Sequence, residues 1–347
     1  MHYKLAFIGF GNVAQALAQL LLRKRWELQE RYNITFSVTG VSTGSHGIAV
    51  NPNGISVNAA FDMLHSERSL DLLTGGPIPT NSLGFLERSE ADVMFENTPV
   101  NHDTGQPAID HCRMALDLGM HAITANKGTV VHGYRKLTEL ARAKNKKFLF
   151  ESTVLGGSPL FSVFREAMPA AELASFEGIL NSTTNIMLSR MARGESFDEA
   201  VAYCQAIGVA ETDPSNDVDG WDAAIKVAAL VTVLMDIPFM PQQVERMGIR
   251  EITPEMIEQA RAQNERWKLV CRAEKVEDTV RASVKLELVP MSSPLYGMED
   301  STSGVAFRTD VLGDYSIIES EREGMVAGPI PTAYGLFADF VNAAKGG

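Results

Sequence analysis

Cysteine is scarce: Cys112, Cys204 and Cys271 are the three in 347 residues, widely spaced, with no CxxC pair and no histidine nearby at metal-ligand spacing. That scarcity argues against a disulfide framework or a structural zinc site and fits a reducing compartment. Long uncharged apolar runs are also missing. The longest candidate, 223–235, is interrupted by Lys226, so no membrane span is expected. The apolar start of the chain is broken by glycine and followed by no cleavage-site pattern. It reads as a first β-strand and not as a signal peptide, and a cytoplasmic location is expected. Basic residues are outnumbered, 31 Lys and Arg against 43 Asp and Glu, for a formal net charge of −12. Such a balance disfavours a general binder of nucleic acid or anionic membranes. It leaves room for a phosphate-bearing ligand, because helix N–H groups can hold phosphate without basic side chains.

What is present is an ordinary globular composition, 45% hydrophobic and 21% charged, in a chain long enough for two domains. The first half alternates short apolar stretches, over 4–8, 35–42, 92–97, 121–125 and 147–152, with helical patterns over 13–22, 107–118 and 134–144. This alternation predicts an α/β fold, a doubly wound parallel sheet with helices on its faces. Residues 45–84 are rich in Gly, Pro, Asn and Ser, with one helix expected over 59–66. Beyond about Gly156 the alternation stops. Helices are expected over 160–168, 184–192, 197–207, 220–236, 254–263 and 332–344, and strands over 174–181, 266–273, 280–289, 303–309 and 315–318. No internal repeat or low-complexity tract occurs.

The segment Gly9-Phe10-Gly11-Asn12-Val13-Ala14 reads GxGxxA, directly after the first strand and before the first helix. The first glycine allows the tight turn, the second lets backbone approach a pyrophosphate, and the small third residue lets helix and strand pack closely. A bare glycine pattern is only a tight turn; the strand–turn–helix setting makes it a dinucleotide site. The second strand ends in Val41-Ser42-Thr43-Gly44-Ser45-His46, with no acid to bond the ribose hydroxyls. Nothing there repels a 2′-phosphate, and the hydroxyls and His46 could receive one, so NADP is favoured over NAD. The cofactor-binding set is Gly9, Gly11, Asn12, Val13, Ser42, Thr43, Thr98 and Lys127.

Two lysines suggest chemistry. Lys127 follows a strand at the end where open parallel sheets bind ligands, although a surface loop lysine would look the same. Lys226 is the only charge between Asp222 and Asp236 in an apolar helix, and an ammonium there needs a partner or a cleft. Asp222 and Asp219, four and seven residues earlier, are expected on the same helix face. Glu211, Asp213 and Asp217 add to an acidic cluster; helix capping and one solvated ion pair would account for part of it. Acids and lysines near a nicotinamide suit a small substrate carrying an ammonium, with a lysine polarising a carbonyl or moving the alcohol proton.

At this point the chain resembles the homoserine dehydrogenase family. GFGNVA, ITANKG, GILNSTTNIML, AETDPSNDVDGWDAAIK and PTAYGLFADF carry the resemblance, in order, over nearly the whole sequence. It implies oxidation of L-homoserine to L-aspartate 4-semialdehyde with NAD(P), or the reverse. By similarity Lys127 and Lys226 would be catalytic, with Asp222 supporting Lys226. Glu211 and Asp217 would hold the substrate amino group, and Thr183 would line its pocket. Glu151, Val154 and Gly156 match the stretch where the family binds a monovalent cation, Na+ or K+. The resemblance also implies a nucleotide domain over 1–153 completed by a final helix in 332–347, an α+β substrate and dimerisation domain over 154–331, and a homodimer. The chain ends just after the last matching segment, so no threonine-responsive regulatory domain is expected.

Three positions depart from the family pattern: Ser182 stands for a usual glycine, Val326 for another, and Ser303-Gly304-Val305 lacks the asparagine expected before the late Ala-Val. These leave two alternatives: a dehydrogenase of the same architecture acting on a different small amino or hydroxy acid, and a non-catalytic NADP-binding sensor. A sensor would need the glycine loop but not the lysines and acids.

Overall fold

The computed structural model describes residues 1–320 and 328–345. The chain divides into two compact units, Met1–Pro159 with Pro329–Gly347, and Leu160–Gly328.

In the first unit the strands are β1 (His2–Ile8), β2 (Thr35–Ser42), β3 (Ile48–Val50), β4 (Val93–Glu96), β5 (His121–Thr124) and β6 (Phe148–Leu149). They form one six-stranded sheet in the order β3-β2-β1-β4-β5-β6. All pairings are parallel except that of β3 with β2, so the sheet is the doubly wound kind the alternation predicts. The order reverses between β1 and β4, and a crevice outside the carboxyl ends of these strands is where such sheets bind ligands. The helices are α1 (Asn12–Arg23), α2 (Arg25–Tyr32), α3 (Val57–His65), α4 (Ser82–Ser89), α5 (Ala108–Asp117) and α6 (Lys127–Ala143). β4 and β5 are buried at every residue, which fits strands covered by helices on both faces.

An aromatic core lies under the crevice. Phe7 stacks on Phe95 with ring centres 5.0 Å apart, and Phe10 from the glycine turn meets Phe7 and Phe61 at 5.4 and 5.9 Å. The last helix of the chain (Ile330–Lys345) belongs to this unit. Its Phe340 meets Phe95, and its Asp339 carboxylate accepts the Glu151 N–H at 2.8 Å. That bond turns the backbone at Glu151. The strand expected over 147–152 therefore ends at Leu149, and Glu151–Thr153 is a 3-10 turn. α6 starts earlier than the expected 134 because the Asn126 side chain caps it at Gly128 N, 3.0 Å away, so the β-branched run Thr129-Val130-Val131 is helical despite its propensity.

The second unit is built on another six-stranded sheet. Its strands are β7 (Leu173–Ile179), β8 (Glu245–Arg246), β9 (Glu265–Val276), β10 (Thr279–Pro290), β11 (Ser303–Thr309) and β12 (Gly313–Glu319), ordered β12-β11-β7-β9-β10-β8. Neighbours are antiparallel except β8 against β10. Its helices are α7 (Leu160–Ser162), which runs on into a π turn at Val163–Ala167, α8 (Ser182–Met191), α9 (Phe197–Ala206), α10 (Ser215–Val218), α11 (Trp221–Leu234) and α12 (Pro254–Ala262); the final helix described above is α13. α11 is apolar almost all round, with Ala223 to Thr232 buried apart from Lys226, as suits a helix inside the unit.

Among the described residues no helix is long and apolar enough to cross a membrane. All three cysteines are free and buried. Burial pushes the Cys204 and Cys271 thiols up to about 11 and about 12, which keeps them protonated and unreactive.

Candidate functional site

The first candidate site is the glycine turn at the carboxyl end of β1. Gly9 has φ +82, and a side chain there would place Cβ 2.6 Å from the Asn97 carbonyl oxygen and 2.9 Å from Thr98 N. Its N–H donates to Ser42 O at 2.9 Å, tying the turn to the end of β2. Gly11 caps α1 and has nothing within 4 Å of its would-be Cβ. Its cap position supplies no side-chain hydrogen bond, and among the described residues no side-chain oxygen takes the first-turn N–H groups of α1, so Asn12 and Val13 present them at the positive end of the helix dipole. Ala14 is fully buried, the small residue that close strand–helix packing demands.

At the end of β2 the Thr43 hydroxyl accepts the His46 N–H at 2.8 Å and lies 3.2 Å from Gly47 O, while Ser45 Oγ lies 2.8 Å from His46 Nδ1. The turn is thus self-bonded, with Ser45 exposed at its tip. Asn97 lies beside Gly9, and its side-chain oxygen and nitrogen are both buried with no hydrogen-bond partner among the described residues. An orphaned carboxamide is uncommon unless water or a ligand completes it. Orphan, cradle and uncapped helix together fit a dinucleotide.

Sequence reasoning passed over Glu96. It is fully buried at the last residue of β4 and accepts the Thr98 N–H at 3.2 Å and the Thr98 hydroxyl. His111 Nδ1 and Thr124 Oγ1 stand 3.4 and 3.2 Å from its carboxylate. The signal was a lone acid in the apolar run Val93-Met94-Phe95. Lys127, the first residue of α6, follows the capping Asn126.

A second candidate site is in the other unit, where β7, α8, α10 and α11 converge. Lys226 Nζ stands 2.7 Å from Asp222 Oδ2 and donates to Leu180 O at 2.7 Å. Its third N–H has no acceptor among the described residues, and its side chain is 14% exposed. Asn181, which caps α8 at Thr184 N, also donates to Asp217 Oδ1 at 2.6 Å and Asp222 Oδ2 at 2.9 Å. It is the hub that holds two carboxylates side by side, and nothing in its spacing distinguished it from an ordinary helix cap. The Thr183 hydroxyl donates to Val209 O at 3.2 Å, and Glu211 is exposed, its carbonyl accepting Gln205 Nε2. Ser182 opens α8 and Ser303 opens β11; Val326 lies outside the described residues.

Asp219 does not share the face of Lys226. Gly220, at φ +78, breaks the chain between α10 and α11, and Asp219 pairs instead with Arg250. An unbroken helix through 219 was the wrong premise, because a left-handed residue redirects the backbone.

Two family models match this chain: homoserine dehydrogenase over residues 159–341, and the homoserine dehydrogenase NAD-binding domain over residues 9–151. The chain belongs to the homoserine dehydrogenase family. It is similar to an NAD(+)-dependent homoserine dehydrogenase of Pseudomonas canavaninivorans, 34% identical over 98% of this chain and 96% of that one. A crystal structure described as a candidate homoserine dehydrogenase from Archaeoglobus fulgidus superposes with a TM-score of 0.84 at 28% identity, covering 98% of each chain. A hyperthermophilic archaeal homoserine dehydrogenase in complex with NADPH gives 0.80 at 26%, over 99% of this chain and 98% of that one. Membership makes this a nicotinamide-dependent oxidoreductase with a dinucleotide-binding domain of the Rossmann kind.

Among the described residues no cluster of three His, Cys, Asp or Glu could hold a metal. Glu151, Val154 and Gly156 lie on the turn that rests against α13, where a Cβ on Gly335 would fall 2.7 Å from Gly156 O.

Proposed function

We propose that this homoserine dehydrogenase interconverts L-homoserine and L-aspartate 4-semialdehyde, with the nucleotide on the Gly9–Val13 turn and the amino-acid substrate on the Lys226 cluster. A bound nicotinamide supplies hydride transfer. The observation that carries the rest is Lys226: two of its N–H groups are spent on Asp222 and Leu180, and the third has no acceptor among the described residues. In the reducing direction that N–H stabilises negative charge developing on the carbonyl oxygen and delivers the proton to it. Asp222 holds the ammonium in place. Asp217, carried on the same Asn181 side chain, and the exposed Glu211 provide carboxylates for the substrate ammonium, and buried Thr183 shapes the wall. Lys127, at the carboxyl end of β5, serves as the second lysine.

NADP is the nucleotide we favour, because the β2 turn carries Ser45 and His46 and no acid. His46→Ala is expected to raise KM for NADP several-fold and leave KM for NAD unchanged. A monovalent cation, Na+ or K+, bound by carbonyls of Glu151, Val154 and Gly156 fits a turn without an acidic cluster, and activity should then depend on which chloride salt is present. The exposed Leu288, Tyr315 and Ile318 support a homodimer formed through the second unit, to be read by sedimentation. The deciding assay follows absorbance of the reduced nicotinamide with L-homoserine, offering NAD and NADP separately. Absence of turnover in both directions, with nucleotide still bound, would shift the reading to another amino or hydroxy acid.

A further inference from the structure

We propose that Glu96 is a positioning residue for the nucleotide, fixing the turn after β4 against the turn that introduces α6. This rests on the nucleotide occupying the Gly9 turn.

The carboxylate belongs to a closed ring of hydrogen bonds within the first unit. Glu96 accepts from Thr98 N and Thr98 Oγ1. Thr98 O accepts from Asn126 Nδ2 at 3.1 Å, and Pro99 O from the same nitrogen at 3.3 Å. Asn126 N donates to Thr124 Oγ1 at 2.9 Å, and that hydroxyl returns the ring to Glu96, 3.1 Å from its backbone carbonyl and 3.2 Å from its Oε2. One side of the ring is residues 97–98, which Gly9 touches; the other is the cap that starts α6 at Lys127. His111 closes the outside, its Nε2 3.1 Å from Ser82 Oγ.

Core filling does not explain a glutamate here. The three residues before it on β4 are apolar and buried, and an isolated buried carboxylate costs several kcal/mol unless it is compensated. Its compensation comes from both ligand-facing turns, so the charge orders the backbone that must meet the nucleotide. Donors bound to a carboxylate are held about twice as strongly as donors bound to a neutral acceptor. The structure therefore assigns Glu96 a role exerted through Thr98, with the carboxylate itself kept away from the ligand by its complete burial.

The test is a double-mutant cycle on Glu96→Gln and Thr98→Val, read as nucleotide affinity by titrating the fluorescence of the reduced nicotinamide in the full chain. Thermal midpoints without nucleotide are measured alongside. Glu96→Gln keeps the shape and removes the charge. It is expected to weaken nucleotide binding about tenfold, with KM for the amino alcohol unchanged and with little further loss in the Thr98→Val background. An unchanged affinity in Glu96→Gln, or effects of the two substitutions that simply add, would overturn the proposal. Should Glu96→Gln fail to fold, Glu96→Asp, which keeps the charge and shortens its reach to Thr98, decides: undiminished affinity overturns the role through Thr98, and a severalfold loss with KM for the amino alcohol unchanged supports it. If the unaltered protein binds neither nucleotide, the reading of the Gly9 turn fails along with the proposal. Binding by the unaltered protein with an unaffected Glu96→Gln sinks the Glu96 role alone.

Discussion

Lys226 and Asp222 stand one helical turn apart on α11 with Nζ and Oδ2 2.7 Å from each other, and the Leu180 carbonyl takes a second N–H of the same ammonium. Each acceptor removes a direction in which the lysine could wander, so the remaining N–H has a defined aim. Lys226→Ala should therefore lower kcat by roughly 10²–10⁴-fold while leaving nucleotide affinity intact. Asp222→Asn should cost less, because Leu180 still holds the amine. Steady-state rates with nucleotide titrations separate the two effects; equal loss of kcat and nucleotide affinity in Lys226→Ala would point to misfolding instead.

The two glycines of the turn should behave differently. Gly9→Ala forces a left-handed backbone and a contact of 2.6 Å on Asn97, and it should destabilise the first unit by about 1–3 kcal/mol. Gly11→Ala meets nothing within 4 Å among the described residues. Its thermal midpoint should stay close to that of the unaltered protein, while its KM for nucleotide rises. A normal KM in Gly11→Ala would show that no pyrophosphate comes close at this point.

Asn181 separates two acids that would otherwise repel. Replacing it by Leu removes both bonds, at 2.6 and 2.9 Å, and the α8 cap with them. A loss of about 2–4 kcal/mol in chemical denaturation is expected, with a rise in KM for the amino alcohol. Unchanged substrate KM would mean that Asp217 and Asp222 keep their places without it.

His121 makes stability depend on pH. Burial, followed by the charges of Lys146 and Lys147, pushes its pKa down to about 4, and the Lys147 N–H donates to its Nδ1 at 3.1 Å, which requires the neutral ring. The unfolded chain takes up the proton below about pH 6.5 and the folded chain does not until about pH 4. Stability is therefore lost as pH falls through that window, by on the order of 2 kcal/mol from this one group. Urea unfolding at pH 7 and pH 5 should show a smaller drop in His121→Asn than in the unaltered protein; equal drops would assign the acid sensitivity elsewhere.

Much of the first unit could be read from local pattern. Its strands are short and apolar, its helices amphipathic, and the glycine turn sits where the two meet; Thr35–Ser42 matches the expected strand to the residue, as does Ser303–Thr309 in the second unit. Where the reading missed, a distant group had intervened. Asp339 bends the chain at Glu151 from nearly two hundred positions away, and Asn126 capping overrides the weak helix propensity after Lys127.

The sequence by itself determined the layered sheet, the dinucleotide turn and the acid–lysine pair four residues apart, because those depend on periodicities and spacings within one element. Only the tertiary structure decided that Asn181 joins Asp217 to Asp222, that Asp219 turns away to Arg250, and that Glu96 links two turns. Those relationships depend on which strand end lies beside which helix start. A hydrogen bond of about 3 Å is decided by that placement and leaves no periodic trace along the chain.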